Sequence, residues 1–247
     1  MKAQTGRAIT SAISSNRFQT YLNAANGNKE RALELYLWNV EAAAAVISTT
    51  GMVEVQLRNS INDALQRWNM EQPVTTPGRT RAYSADWLTD PAPKLAQIIS
   101  RPNQRPLWEN ALKTMKDING NVTKPNPTHD DLVAGLTLGS WTSLLPIPTA
   151  GSRNARVHIW ENALQSKFQS RSKHNQYPCE NRNAVYYWAN CVRYARNRAS
   201  HLEPLLDNSE LLLFHRTSIR LLHSMNADTA SWLAGQAYIP KVMRRRP

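Results

Sequence analysis

NKERALELYLWNVEAAAAVISTTGMVEVQLRNSINDALQRW, residues 28–68, decides the fold class. The stretch has no proline, and the first proline of the chain is Pro73. Leu33, Leu37, Val40, Ala44 and Ile47 recur at steps of three and four, the spacing of one face of an α-helix, and Leu57, Ile61, Leu65 and Trp68 resume it. One long helix is therefore expected from about 28 to 68. The Thr49-Thr50-Gly51 step is the place where it would kink or divide.

Outward from this helix the chain alternates helical periodicity with breakers. Pro73, Pro77 and Gly78 mark a loop at 71–82. Helices are expected at 94–100, 105–118, 129–145 and 154–169, then at 183–201, 209–225 and 228–237. Thr128 and Asp131 have the spacing of a capping box with Asp in place of Glu. Pro146, Pro148 and Gly151 stop the chain before the next helix, and Pro204 disfavours helical geometry at Glu203. No alternating strand pattern and no internal repeat is legible, so the reading is all-α, a helical bundle in one domain over 21–240. Residues 1–20 read as a loosely ordered N-terminus and 241–247 as a basic tail ending in Arg244, Arg245 and Arg246.

The composition narrows the function. Of 247 residues 41% are hydrophobic, enough for a packed core, yet no run approaches the roughly 18 apolar residues of a membrane span. The net charge is +12 and it is unevenly placed: residues 1–150 carry 15 basic against 12 acidic side chains, residues 151–247 carry 15 against 6. A polyanion docking on the C-terminal part is the natural partner, and a nucleic acid is the expected one. Cys179 and Cys191 are too few for a disulfide framework and, with His158 and His174, match no zinc spacing, so neither metal nor cofactor is expected. Reduced thiols suit the cytoplasm.

The informative helix is the one at 183–203. Val185, Trp188, Val192, Ala195, Ala199 and Leu202 fill one stripe of the helix at 100° per residue. Asn190, Asn197 and His201 fall together on the opposite side, and Asn197 and His201, four apart, are neighbours. Arg196 lies off to the side on a long side chain. His201 does not belong to the apolar stripe, which disfavours a core role. It is an acid–base group by chemistry and an ordinary surface histidine by default.

Arg196-Asn197-Arg198-Ala199-Ser200-His201 has the form Arg-Asn-x-x-x-His near a helix end. In this it resembles the HEPN-type helical proteins, many of which are metal-independent ribonucleases, and the wider context resembles their Abi-like branch, linked to bacterial abortive infection. Four ordered segments carry the likeness: RALELYLWN at 31–39, VEVQLRNSI at 53–61, LGSWTSLL at 138–145 and VRYARNRASHLEP at 192–204. Two departures stand out. Leu138-Gly139-Ser140-Trp141 replaces an aromatic Phe-Gly-Phe-Trp, and Leu202 stands where many relatives have a second histidine, leaving His201 alone. The resemblance implies a HEPN-like bundle with additional helices, a homodimer with a composite site, and restraint of a toxic activity by an antitoxin protein or a regulatory RNA.

These residue types suit cleavage of RNA through its own 2′-hydroxyl. His201 would serve as base or acid, Arg196 as a forked cation on the phosphate, and Asn197 as an orienting hydrogen-bonding group. Glu54, four before Arg58, either forms a surface pair or steers the site together with Arg58 and Asn59. Arg193, Arg198 and Tyr194 are the expected RNA contacts, with base stacking falling to Tyr187 or Tyr194. Two other readings stand beside this one: a non-catalytic RNA-binding or regulatory module, and a helical DNA-binding or scaffold protein built on the 209–235 helix pair.

Overall fold

The computed structural model describes residues 13–100, 105–168 and 181–247. Cys179 and His174 lie outside them, as does 1–12 of the expected loose N-terminus. The fold is all-α. Its helices are α1 (Ser15–Ala24), α2 (Lys29–Met70), α3 (Pro93–Ile99), α4 (Leu107–Thr114), α5 (His129–Gly135), α6 (Leu138–Ser143), α7 (Ala155–Ile159), α8 (Arg182–Ser200), α9 (Asn208–Met225), α10 (Ala227–Gln236) and α11 (Tyr238–Met243). α7 runs on through a π turn at Trp160–Leu164 and a 3-10 turn at Gln165–Phe168. No helix among the described residues is long and apolar enough to cross a membrane.

α2 is the spine, 42 residues in one piece. It is not broken at Thr49-Thr50-Gly51. Both threonine hydroxyls bond back to carbonyls one turn earlier, Thr49 to Ala45 at 2.8 Å and Thr50 to Val46 at 2.9 Å. That satisfies two buried hydroxyls without leaving the helix. The spine threads three apolar clusters. Phe18 and Tyr21 of α1 pack on Leu33 and Leu35. Trp38, Ala42, Ala43 and Val46 meet Ala195, Ala199, Leu205, Phe214, Ile239 and Val242. The largest cluster gathers Leu57, Ile61 and Leu65 with Trp87, Trp141, Phe168, Val185 and Val192. Each fully buried Leu or Ile there contributes on the order of 2 kcal/mol.

The structure departs from the sequence expectations in several places. Residues 15–20, expected to be loose, belong to α1 and are anchored on the spine. The basic tail is docked as well: Arg245 pairs with Glu41 at 3.0 Å, and Arg246 lies over the Trp38 ring while donating to Asn208. The helix expected to reach 118 stops at Thr114. Asp117 there accepts from the amides of Asn119 and Asn121, and Gly120 takes φ +82, closing a hairpin with one antiparallel bridge, Lys116 to Val122. The helix expected over 129–145 is two, α5 and α6. Thr137 is extended and caps α6 by accepting from Ser140, and the capping box of Thr128 and Asp131 starts α5 as read.

The first half of the spine also turns differently from its periodicity. Leu37, Val40 and Ile47 face outward, 62%, 39% and 44% exposed, and Val55, 45% exposed, extends their row. The buried face is the neighbouring one, where Ala42, Ala43 and Val46 let other helices come close. The apolar row left outside spans roughly 27 Å of helix.

Candidate functional site

α8 begins at Asn181, whose side chain accepts from the Asn183 amide, and buries Val185, Trp188, Ala189, Val192, Ala195 and Ala199. The three alanines allow α8 to lie close against α2 and α9. On the opposite side Arg193, Asn197 and His201 are exposed and Asn190 is half-buried, as the helical wheel required.

The end of α8 is built to hold a turn. The Leu202 amide donates to Ala199 at 3.0 Å and the Glu203 amide to Arg198 at 2.9 Å, the crossed pair of a Schellman motif. Leu202 takes the left-handed position of that motif, φ +50, which glycine usually fills. For a leucine this costs on the order of 1 kcal/mol. Two remote residues hold the turn against that strain. Arg17 of α1 donates to the His201 carbonyl at 2.7 Å. Asn39 of α2, completely buried, accepts from the Leu205 amide at 2.6 Å and donates to the Glu203 carbonyl at 3.3 Å.

Glu54 of α2 comes to the same region. It is half-buried, and burial raises its carboxyl above the usual carboxylate range; the charges of Arg196 and Arg58 and the Leu138 amide at the start of α6 pull it part of the way back. Three of the four segments named in the sequence, 53–61, 138–145 and 192–204, thus meet around one carboxylate, and the fourth, 31–39, reaches the same helix end through Asn39. Asn59 does not join them. It is exposed and sits roughly 140° round the helix from Glu54.

The motif residues divide. The Arg196 charge acts on Glu54, whereas His201 caps α8 about 140° further round the helix axis, and both side chains are exposed. Among the described residues no hydrogen bond or ion pair joins the two. One copy therefore presents a guanidinium and an imidazole on neighbouring surfaces of one helix end rather than in a closed pair.

The expected RNA contacts divide too. Arg198 is committed inside the protein: it bonds Glu203 at 3.0 Å, Glu210 at shorter range and the Pro204 carbonyl at 2.5 Å. Two carboxylates neutralise it, so it is a strut between α8 and α9. Tyr194, exposed, meets Phe214 edge-on at 6.0 Å with Arg198 over its ring. Arg193 is different. It donates to the Asn190 side chain at 3.1 Å and lines a groove of about 310 Å³ with Gly139, Ser143, Asn154, Arg156, Tyr186 and Asn190. The sequence reading missed Asn39 and Arg17 as supports of the motif. The signal for Asn39 was present, an amide inside an apolar helical segment, whereas Arg17 carried none.

Cys191 is half-buried, accepts from the Thr217 hydroxyl, and burial pushes its thiol up, which disfavours the thiolate. Among the described residues no three His, Cys, Asp or Glu side chains converge as a metal site. No protein-family model matches this chain, and neither a curated protein nor a solved structure matches it significantly.

Proposed function

We propose that this chain is a metal-independent endoribonuclease of the HEPN type, resembling the Abi-like branch, with Arg196, Asn197 and His201 as its working residues. The observation that carries the reading is the investment in one helix end. Arg17, Asn39 and Glu54, from two other helices, are all spent on fixing or facing the turn where an exposed imidazole and an exposed guanidinium stand. A merely structural helix end needs no such convergence.

In the reaction, the imidazole of His201 takes the 2′-hydroxyl proton, the oxygen attacks the adjacent phosphorus, and the 5′-oxygen leaves with a proton, giving a 2′,3′-cyclic phosphate. Arg196, oriented by Glu54, balances the charge on the phosphorane. A single imidazole cannot serve as base and acid at once, and Arg196 and His201 diverge within one copy. A homodimer resolves both points by placing two motifs at one substrate. The outward row Leu37, Val40, Ile47 and Val55 lies on the same helix as Glu54 and supplies an apolar face for a second copy. A cytoplasmic defence effector of this kind would be held in check by an antitoxin protein or a regulatory RNA.

The test is incubation of the purified protein with total RNA in chelator, beside His201→Ala and Arg196→Ala. Cleavage leaving cyclic phosphate ends, absent in both variants, supports the reading. RNA binding with no cleavage by the wild type would move it to a non-catalytic module. Ile47→Glu, which should split the dimer in sedimentation, should also abolish cleavage.

A further inference from the structure

The groove beside α8 is the feature that the motif does not explain. Its walls come from α6, from Leu145 and Ile147 in the loop that follows it, from Asn154 and Arg156 at the start of α7, and from Tyr186, Asn190 and Arg193 of α8. Among the described residues no acidic side chain lines it. Its parts are held in place. The Arg156 Nε donates to the Ser143 carbonyl at 2.6 Å, and the Asn154 side chain caps α7. Asn190 donates to the Tyr186 carbonyl at 2.9 Å while accepting from Arg193. Only one N–H of the Arg193 fork is spent on Asn190, and its aliphatic stem passes over Gly139, where the missing Cβ leaves the floor open.

We propose that this groove holds one nucleotide of single-stranded RNA next to the bond to be cut, its base against Tyr186 and the Asn154 and Asn190 amides, its phosphate on Arg193. The proposal rests on the nuclease reading for its meaning and on the groove for its argument. A volume of about 310 Å³ suits a single nucleotide. A duplex, with its bases stacked inward, offers nothing to fill it. A groove that sets the Arg193 guanidinium, two amides and a phenol ring beside the apolar side chains of Leu145 and Ile147 matches the mixture of phosphate binding, edge recognition and stacking that single strands require. Asn190, Arg193 and Asn197 climb one side of α8, and the roughly 10 Å between the first and the last leads from the groove to the motif. The RNA surface therefore runs from Asn197 toward Arg156, away from the Arg198–Glu210 strut.

The experiment uses the full chain with His201→Ala, so that RNA survives the measurement. Binding of a fluorescent single-stranded oligoribonucleotide is followed by anisotropy over a salt series, beside the same strand as a duplex and as DNA. Arg193→Glu should weaken single-strand binding at least tenfold and lower the salt slope by about one. Arg216→Glu, the same charge change on the exposed side of α9, should change it less than twofold, and Asn190→Ala should alter which base is preferred. Equal losses from Arg193→Glu and Arg216→Glu would overturn the groove, as would duplex or DNA bound as tightly as single-stranded RNA. The two readings fail separately. Wild-type protein that cleaves nothing, while Arg193→Glu still abolishes binding, removes the nuclease and leaves the groove. Cleavage by wild type with undiminished cleavage and binding by Arg193→Glu removes the groove and leaves the nuclease.

Discussion

Replacing Asn39 by alanine tests whether the end of α8 is held from a distance. The Asn39 side chain is fully buried and makes two bonds across the fold, accepting from the Leu205 amide at 2.6 Å and donating to the Glu203 carbonyl at 3.3 Å. The alanine variant strands a buried backbone amide. An unsatisfied buried donor costs about 1–3 kcal/mol, and the carbonyl, with a longer and weaker bond, less. A loss of roughly 2–4 kcal/mol follows, which in a chain of this size lowers the melting temperature by about 4–15 °C. Thermal and urea unfolding followed by circular dichroism at 222 nm measure it, with the exposed Asn59→Ala as the control expected to stay within about 0.5 kcal/mol. At a temperature where Asn39→Ala remains folded, RNA cleavage should still fall, because the turn carrying His201 has lost a brace while every motif residue is intact. Asn39→Ala within 0.5 kcal/mol of wild type, with undiminished cleavage, would refute the view that the spine positions the motif.

Glu54→Gln separates stability from function. Because burial raises the Glu54 carboxyl, the folded protein gains stability as pH falls through that raised value, so the glutamine variant should match or exceed wild type in urea midpoint at pH 8 and lose that advantage near pH 4, while cleaving RNA more slowly. Arg198→Ala should cost about 2–4 kcal/mol, since Glu210 would be left half-buried without its cation, whereas Arg193→Ala should leave the urea midpoint unchanged. His129 and His215 are held below the ordinary imidazole value by burial. Folding then favours their neutral forms, and stability should decline as pH drops below about 6.5. Replacing His129 by glutamine should flatten that decline in urea titrations between pH 8 and 5.

The fold class was legible because its signals are local. Period, caps and prolines located the long helices within a few residues, including the Thr128–Asp131 box. What the sequence hid was set by partners far along the chain. Leu37 and Ile47 satisfy the helical period as well as Ala42 and Val46 do, and only the closeness that alanine permits decides which row faces inward. The stop of α4 at Thr114 depends on an Asp117 turn whose glycine lies three residues further on. The candidate site shows the same division. The angle between Asn197 and Arg196 around α8 follows from 100° per residue, but nothing local in the sequence assigns Arg17 to the His201 carbonyl, 184 residues away.

The arginines of the motif turn show how far charge alone can carry a functional reading. Arg193, Arg196 and Arg198 sit within six residues and are equivalent in any count of positive charge. Geometry gives them three different tasks. Arg198 faces Glu203 and Glu210 and is neutral to its surroundings. Arg196 faces the half-buried Glu54 carboxylate, with no ion pair between them within 4 Å among the described residues. Arg193 faces the Asn190 amide and a groove in which, among the described residues, no carboxylate stands. An approaching polyanion feels these differences before it feels any shape. It is drawn first to Arg193, next to Arg196, and not to Arg198. On the proposed reading, that order would bring an RNA strand along the groove toward His201, giving the uneven charge of the chain a direction as well as a sign.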